Sequence, residues 1–213
     1  MINKSIYLIT GMPRSGTSFF CDIFNRFGGK FEPNLICNSR NKPLDGFSIL
    51  SEPEKLSKSR INTGHLSDFL LNVINEYSVF ENSIPVLKHF YFIDNLDQMP
   101  SLSYVKKIIV CTREVSSWSN SMSHYAPHST SYLRSLFHNL PQDEKKLITQ
   151  SNFIESFGYF LHNRCKRMLD SPIPTLHFNF NSPSSLNNIL NDLNLHKSFI
   201  PDVLNEWKGS RFE

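Results

Sequence analysis

Residues 11–18 read Gly-Met-Pro-Arg-Ser-Gly-Thr-Ser, and they follow the apolar run Ile6-Tyr7-Leu8-Ile9. An amphipathic segment that begins at Phe19 comes next. A strand, a glycine-punctuated turn and the start of a helix form the usual cradle for a phosphate, because backbone N–H groups at a helix N-terminus point at the bound anion. The sequence therefore predicts a phosphate-binding turn after the first strand.

The spacing of this turn matches the nucleotide-binding motif G-x-x-x-x-G-K-[ST] with one exception. Thr17 stands where an NTPase places the lysine that reaches the β- and γ-phosphates, and the cation lies inside the turn, at Arg14. The turn is thus suited to a phosphate-like group but not to ATP with magnesium. A small P-loop kinase, which has the same architecture, is the less favoured enzymatic alternative.

The turn resembles the 5′-phosphosulfate loop of sulfotransferases that use 3′-phosphoadenosine 5′-phosphosulfate (PAPS). The resemblance implies that Arg14 contacts the bridging and sulfo oxygens of PAPS. Phe19 falls where many members of the family carry a tryptophan that stacks on adenine. The residues that would bind the 5′-phosphate through N–H and hydroxyl groups are Ser15, Gly16, Thr17 and Ser18.

A second segment, residues 105–121, also resembles the sulfotransferase family. Residues 105–111, Val-Lys-Lys-Ile-Ile-Val-Cys, predict a buried strand; Arg113 lies just beyond it and Ser121 eight residues further. In the sulfotransferase family, the strand that binds the 3′-phosphate ends in an arginine with a serine at this spacing. The resemblance therefore implies that Arg113 and Ser121 bind the 3′-phosphate, which an arginine can hold bidentately. The family often has Asn-Pro after this arginine, whereas this chain has Glu114-Val115.

A third segment supplies the candidate catalytic lysine and base. Residues 85–87, Pro-Val-Leu, predict a short buried strand, and Lys88-His89 follows it. In the family the comparable strand ends in a lysine that contacts the transferring sulfo group, or in a lysine followed by the catalytic histidine. The resemblance implies that Lys88 acts with Arg14 and that His89 is the general base. Some relatives use a glutamate after the first helix instead, and the alternative bases here are Asp45, Glu52 and Glu54.

The end of the chain has a weaker match. Family members close over the 3′-phosphate with a basic Arg-Lys-Gly loop, and Lys208-Gly209 is interpreted either as its remnant or as part of a frayed terminus.

Length and composition agree with one globular α/β domain that covers residues 1–213. The net charge of +3 is small and there is no basic tract, so a nucleic-acid partner is not expected. No stretch approaches the roughly 20 apolar residues of a membrane span, and a signal peptide before the first strand is not expected. The four cysteines are scattered, which fits a cytoplasmic location, and no cluster has metal-ligand spacing.

Strands that alternate with helices predict a three-layer sandwich with a central parallel sheet. The turn at residues 11–18, Lys88 and Arg113 each follow a strand, so they are expected at one edge of that sheet. Residues 30–62 are expected to be irregular. Helices are predicted at about 15–27, 65–77, 115–123, 153–169 and 184–193, and a further strand at 175–180.

The sequence thus predicts a sulfotransferase that moves the sulfo group of PAPS to a hydroxyl acceptor and releases adenosine 3′,5′-bisphosphate. The acceptor is a small molecule, a carbohydrate or another hydroxyl-bearing compound. A degenerate domain that only binds the nucleotide, or binds a protein partner, is the non-catalytic alternative.

Overall fold

A computed structural model describes residues 5–37, 70, 71, 74, 83–88, 103–124, 133, 134, 137, 138 and 140–210. Its sheet has five strands, which are β1 (Ile6–Gly11), β2 (Asn34–Cys37), β3 (Ser83–Lys88), β4 (Val105–Thr112) and β5 (Thr175–Asn179). All neighbouring strands are parallel, and their spatial order is β2-β3-β1-β4-β5. The predicted α/β class with a central parallel sheet is confirmed.

Helices cover both faces of the sheet. They are α1 (Thr17–Phe27), α2 (Val115–His124), α3 (Gln142–Lys145), α4 (Phe153–Leu169), α5 (Pro183–Asp192) and α6 (Ile200–Ser210), with short 3₁₀ turns at Gly28–Lys30 and Lys197–Phe199. One apolar core contains buried residues of α2 and α4, and the other contains those of α1, α5 and α6. The sheet therefore lies between two helical layers, as predicted.

The strand β1 and the second half of β4 are largely apolar because both of their faces are buried there. Along β4, Ile108 and Val110 belong to the core under α2 and α4, whereas Ile109 and Cys111 belong to the core under α1, α5 and α6. Such a strand shows no polar alternation. Cys111 is fully buried.

Residues 30–62 are not irregular throughout, because Asn34–Cys37 forms β2 and Gly28–Lys30 forms a 3₁₀ turn. The strand β2 is an edge strand of four residues whose described pairing is with β3 alone. A strand this short has too few residues to reveal a period of two. Residues 38–62, which complete the predicted irregular segment, lie outside the described part of the chain.

The strand order creates a topological switch point between β1 and β4, at the centre of the sheet. After β1 the chain adds β2 and β3 on one side, and it then crosses to add β4 and β5 on the other. Ligands of open parallel sheets bind at the carboxyl ends of the strands beside such a switch. Here those ends are Gly11 of β1 and Thr112 of β4. Within the described ranges, no helix has both the length and the apolar character that crossing a membrane requires.

Candidate functional site

The turn between β1 and α1 has three residues in left-handed or positive-φ backbone. They are Gly11 (φ 141°), Arg14 (φ 61°) and Gly16 (φ 93°). Arg14 is exposed, and a non-glycine residue holds this conformation only where the surrounding structure determines it. Gly16 also has no room for a side chain, since a Cβ atom there would lie 2.7 Å from the Phe178 ring.

The inner side of the turn is tied to the end of β4. The Cys111 carbonyl accepts a hydrogen bond from the Met12 N–H at 3.0 Å and another from the Ser15 hydroxyl at 2.9 Å. The same hydroxyl bonds to the Met12 carbonyl, and the Ser15 N–H points to that carbonyl too. Ser15 is fully buried. Its polar hydrogens therefore hold the turn together, and this geometry gives no support to a hydroxyl contact from Ser15 to the 5′-phosphate.

The outer side of the turn is the N-terminus of α1. Gly16 is the N-cap residue and offers no side-chain hydrogen bond to the first turn. The N–H groups of Thr17, Ser18 and Phe19 are in the first turn, where no carbonyl of the helix can accept from them. With the partial positive charge of the helix end, these donors suit a bound anion.

Lys88, the last residue of β3, reaches the turn from the neighbouring strand. Its ammonium Nζ donates to the Ser18 hydroxyl at 2.9 Å. Burial raises the pKa of the Cys111 thiol well above its ordinary value, and the nearby charge of Lys88 opposes that rise. Cys111 is thus a neutral thiol beneath the site and not a nucleophile.

Arg113 approaches the turn from the other side, just beyond β4. Its Nη1 donates to the Arg14 carbonyl at 3.2 Å and its Nε donates to the Ser117 hydroxyl at 2.9 Å. The guanidinium carbon lies 4.4 Å from the centre of the Phe180 ring, which is a cation–π distance. The structure therefore brings Arg14, Lys88 and Arg113 to one end of the sheet.

The side chain of Arg113 bonds to Ser117, a residue that the sequence analysis did not single out. Ser117 follows Arg113 by four residues, while Ser121 lies one helical turn further along α2 and is half-buried. The spacing of four was visible in the sequence, because side chains at positions i and i+4 are neighbours on a helix. A direct contact of Ser121 with a 3′-phosphate stays a prediction.

A second residue of α2 that the sequence analysis did not single out is Trp118. Its indole N–H donates to the Pro13 carbonyl at 2.7 Å, and the side chain is fully buried. Nothing in the sequence links positions 13 and 118, because the contact depends on how α2 packs against the turn. Trp118 and Ser117 are adjacent, so one helical turn contacts both the loop and Arg113.

The three remaining described candidates lie on or beside α6. The Phe19 ring packs against Trp207, with 5.1 Å between ring centres, and Trp207 is itself buried against Phe178 and Phe180. Lys208 is exposed on the same helix and Gly209 is in its last turn. The segment is therefore helical through Ser210, and neither a loop nor a frayed terminus describes it up to that residue.

The candidate bases fall outside the described residues: His89, Asp45, Glu52 and Glu54. Within the described part of the chain, no group of three or more His, Cys, Asp or Glu residues could hold a metal ion.

Two histidines lie close to Arg113 on the α4 side of the sheet. His177 of β5 has its Nε2 atom 2.7 Å from the Thr112 hydroxyl, and burial together with the neighbouring His162 lowers the pKa of His177. The pKa of His162 in α4 is also lowered, by burial and by the charge of Lys166, while a hydrogen bond from the imidazole to the Arg113 backbone acts in the opposite direction and raises it. Both imidazoles are therefore biased toward the neutral form.

No family model matches the sequence, and no curated protein matches it either. A helix N-terminus and three cationic side chains can bind a dianionic group and stabilise negative charge that develops on it.

Proposed function

We propose that this chain transfers the sulfo group of PAPS to a hydroxyl acceptor. The observation that carries the proposal is the contact between Lys88 Nζ and Ser18 Oγ at 2.9 Å. In a P-loop NTPase the hydroxyl at this position of the motif binds Mg²⁺, and a lysine occupies the position that Thr17 fills here. Here the Lys88 ammonium, from β3, bonds to the Ser18 hydroxyl, which is the group that would bind the metal ion in an NTPase.

The charges argue for the same ligand class. A divalent cation on the Ser18 hydroxyl would lie within a few ångströms of the Lys88 ammonium, and two like charges at such a distance repel each other. The anion is therefore neutralised by side chains, as suits a phosphosulfate and not a magnesium nucleotide. Arg14, Arg113 and the first turn of α1 supply the other positive potential.

In the proposed in-line displacement, different residues of the site bind the two phosphate groups and accept the proton. PAPS, when bound, supplies the sulfo group and a 5′-phosphate leaving group. Lys88, Ser18 and the N–H groups that begin α1 hold that phosphate and stabilise the charge that collects on it as its bond to sulfur breaks. Arg113, fixed by Ser117 and Phe180, is proposed for the 3′-phosphate. The acceptor hydroxyl forms the new bond to sulfur and gives its proton to a base, which we propose is His89.

Thermal denaturation tests the ligand class first. Adenosine 3′,5′-bisphosphate at 100 times its Kd should stabilise the protein by about 2.7 kcal/mol, which raises Tm by roughly 5–10 °C in a domain of this size. ATP with magnesium should produce no such shift. Stabilisation by ATP with magnesium alone would mean that the chain is a P-loop kinase.

Transfer of radiolabelled sulfate from PAPS to a panel of alcohols, phenols and sugars then tests the reaction. Labelled product establishes the sulfotransferase. Nucleotide binding without transfer to any acceptor, in a protein whose Lys88 is intact, favours the degenerate binding domain.

A further inference from the structure

Side chains hold the two peptide groups that flank the Cα atom of Arg14. The Pro13 carbonyl accepts the indole N–H of Trp118 at 2.7 Å, and the Arg14 carbonyl accepts Nη1 of Arg113 at 3.2 Å. Because a peptide is planar, fixing the group on each side of a Cα atom fixes the φ and ψ angles of that residue. This double contact explains how a non-glycine residue keeps a φ angle of 61°.

Trp118 is tightly packed in the core between the loop and α4. Its side chain is fully buried, and Gly158 of α4 lies so close that a Cβ atom there would be 2.8 Å from the indole ring. The ring packs directly against α4, and in this position its N–H points at the loop. The acceptor in turn is buried, so a lost bond would leave a carbonyl that water does not reach.

We propose that Trp118 is a positioning residue of the anion site. It sets the peptide between Pro13 and Arg14, so that the loop is already shaped for an anion before one binds, and it does so without touching the ligand. The inference rests on the proposed function for the identity of that ligand. A pre-formed site binds more tightly than one that must be ordered first.

The test compares two variants of α2 by calorimetric titration with adenosine 3′,5′-bisphosphate. Trp118→Phe removes the N–H donor, so that the loop must be ordered when the anion binds, and we expect this cost to raise the Kd about tenfold. Met122→Ala is the matched control, since Met122 is buried in the same core one turn further along α2. It should lower Tm but leave the Kd within about twofold of the wild type.

A second replacement keeps the test decisive if Trp118→Phe does not fold. Incorporation of 3-benzothienylalanine at position 118 keeps the shape of the bicyclic ring and exchanges only the N–H for sulfur. The same tenfold loss of affinity is expected. A Kd equal to that of the wild type overturns the positioning role and leaves the proposed function intact. Failure of the wild type itself to bind the nucleotide overturns the proposed function, and the inference falls with it.

Discussion

The Nη1 atom of Arg113 lies 3.2 Å from the carbonyl oxygen of Arg14, across 99 positions of sequence. This bond joins the end of β4 to the loop that follows β1. The strands β1 and β4 are the two that flank the topological switch point of the sheet. Arg113, which we propose for the 3′-phosphate, thus belongs to the same cluster as Arg14, which the resemblance assigns to the bridging and sulfo oxygens. The backbone of one is held by the side chain of the other.

Replacing Arg113 by lysine should weaken the binding of adenosine 3′,5′-bisphosphate by about 10–100-fold, although the charge is kept. An ammonium is a point donor and cannot serve the Ser117 hydroxyl, the Arg14 carbonyl and a phosphate from one planar fork. Isothermal titration at constant salt measures the loss. Equal affinities of the lysine variant and the wild type would contradict a role for the guanidinium geometry.

Ser117→Ala should weaken nucleotide binding by about 3–10-fold, because Arg113 Nε loses the hydroxyl that fixes it. Ser121→Ala is the companion variant, with the same change one helical turn further along α2. If only Ser121→Ala lost affinity, Ser121, eight residues after Arg113, would bind the ligand. The bond from Arg113 to Ser117 would then not contribute to binding.

Lys88→Met should reduce the rate of sulfo transfer by about 10²–10³-fold, as is typical when a preorganised charge at a leaving group is removed. Methionine keeps the length and apolar stem of the side chain, so the core should be little changed. Lys106→Met is the control, since Lys106 is exposed on β4 near the amino end of the strand. Chelation of metal ions should not alter the wild-type rate, and a strict requirement for magnesium would contradict the assignment of Lys88.

The sequence was sufficient for the parts of this molecule that depend on local patterns. The bounds of α4, Phe153–Leu169, agree with the prediction because seventeen residues show the helical stripe clearly. Lys88 and Arg113 were placed at one end of the sheet because parallel strands bring their carboxyl ends together. An edge strand of four residues such as β2, however, is too short to show a local pattern.

The unpredicted parts depend on side-chain directions that only tertiary packing decides. The hydroxyl of Ser15 turns inward to the Cys111 carbonyl and not outward to a ligand. Trp118 reaches a carbonyl 105 residues away. Trp207 is a core residue of a helix, next to the Lys208-Gly209 pair that was interpreted as the remnant of a loop or as part of a frayed terminus. A motif defines which backbone turn forms, whereas the neighbours of that turn define which of its groups are available.

Gly158→Ala should lower the free energy of unfolding by about 1–3 kcal/mol, as overpacking of a dense core does. The new methyl group would lie 2.8 Å from the Trp118 ring and 3.0 Å from Val115 Cγ1. Gly29→Ala is the matched control, because no atom lies within 4 Å of a Cβ placed there. Its effect should be within about 0.5 kcal/mol. Urea unfolding measures both, and equal stabilities of the two variants would contradict the packing of α4 against Trp118.

Acidification should destabilise the fold in part through His162. Its Nδ1 atom is buried and has no hydrogen-bond partner in the described portion of the chain, so a proton there would lack an acceptor. Burial and Lys166 lower the pKa of His162 in the fold, whereas the unfolded chain keeps the ordinary value of about 6.5. Below that pH the unfolded state binds more protons than the folded state, so stability decreases as pH falls through 6.5.

The contribution of His162 is measured as a difference in unfolding free energy between variants, because carboxylates also titrate as the pH falls. His162→Gln should flatten the dependence of unfolding free energy on pH between pH 7 and pH 5, since glutamine takes up no proton. His196→Gln, at an exposed histidine beside Ser198, controls for the loss of one imidazole. If His162→Gln and the wild type lose stability in parallel over this range, protonation of His162 does not contribute to the loss of stability. The pH dependence would then lie with other groups.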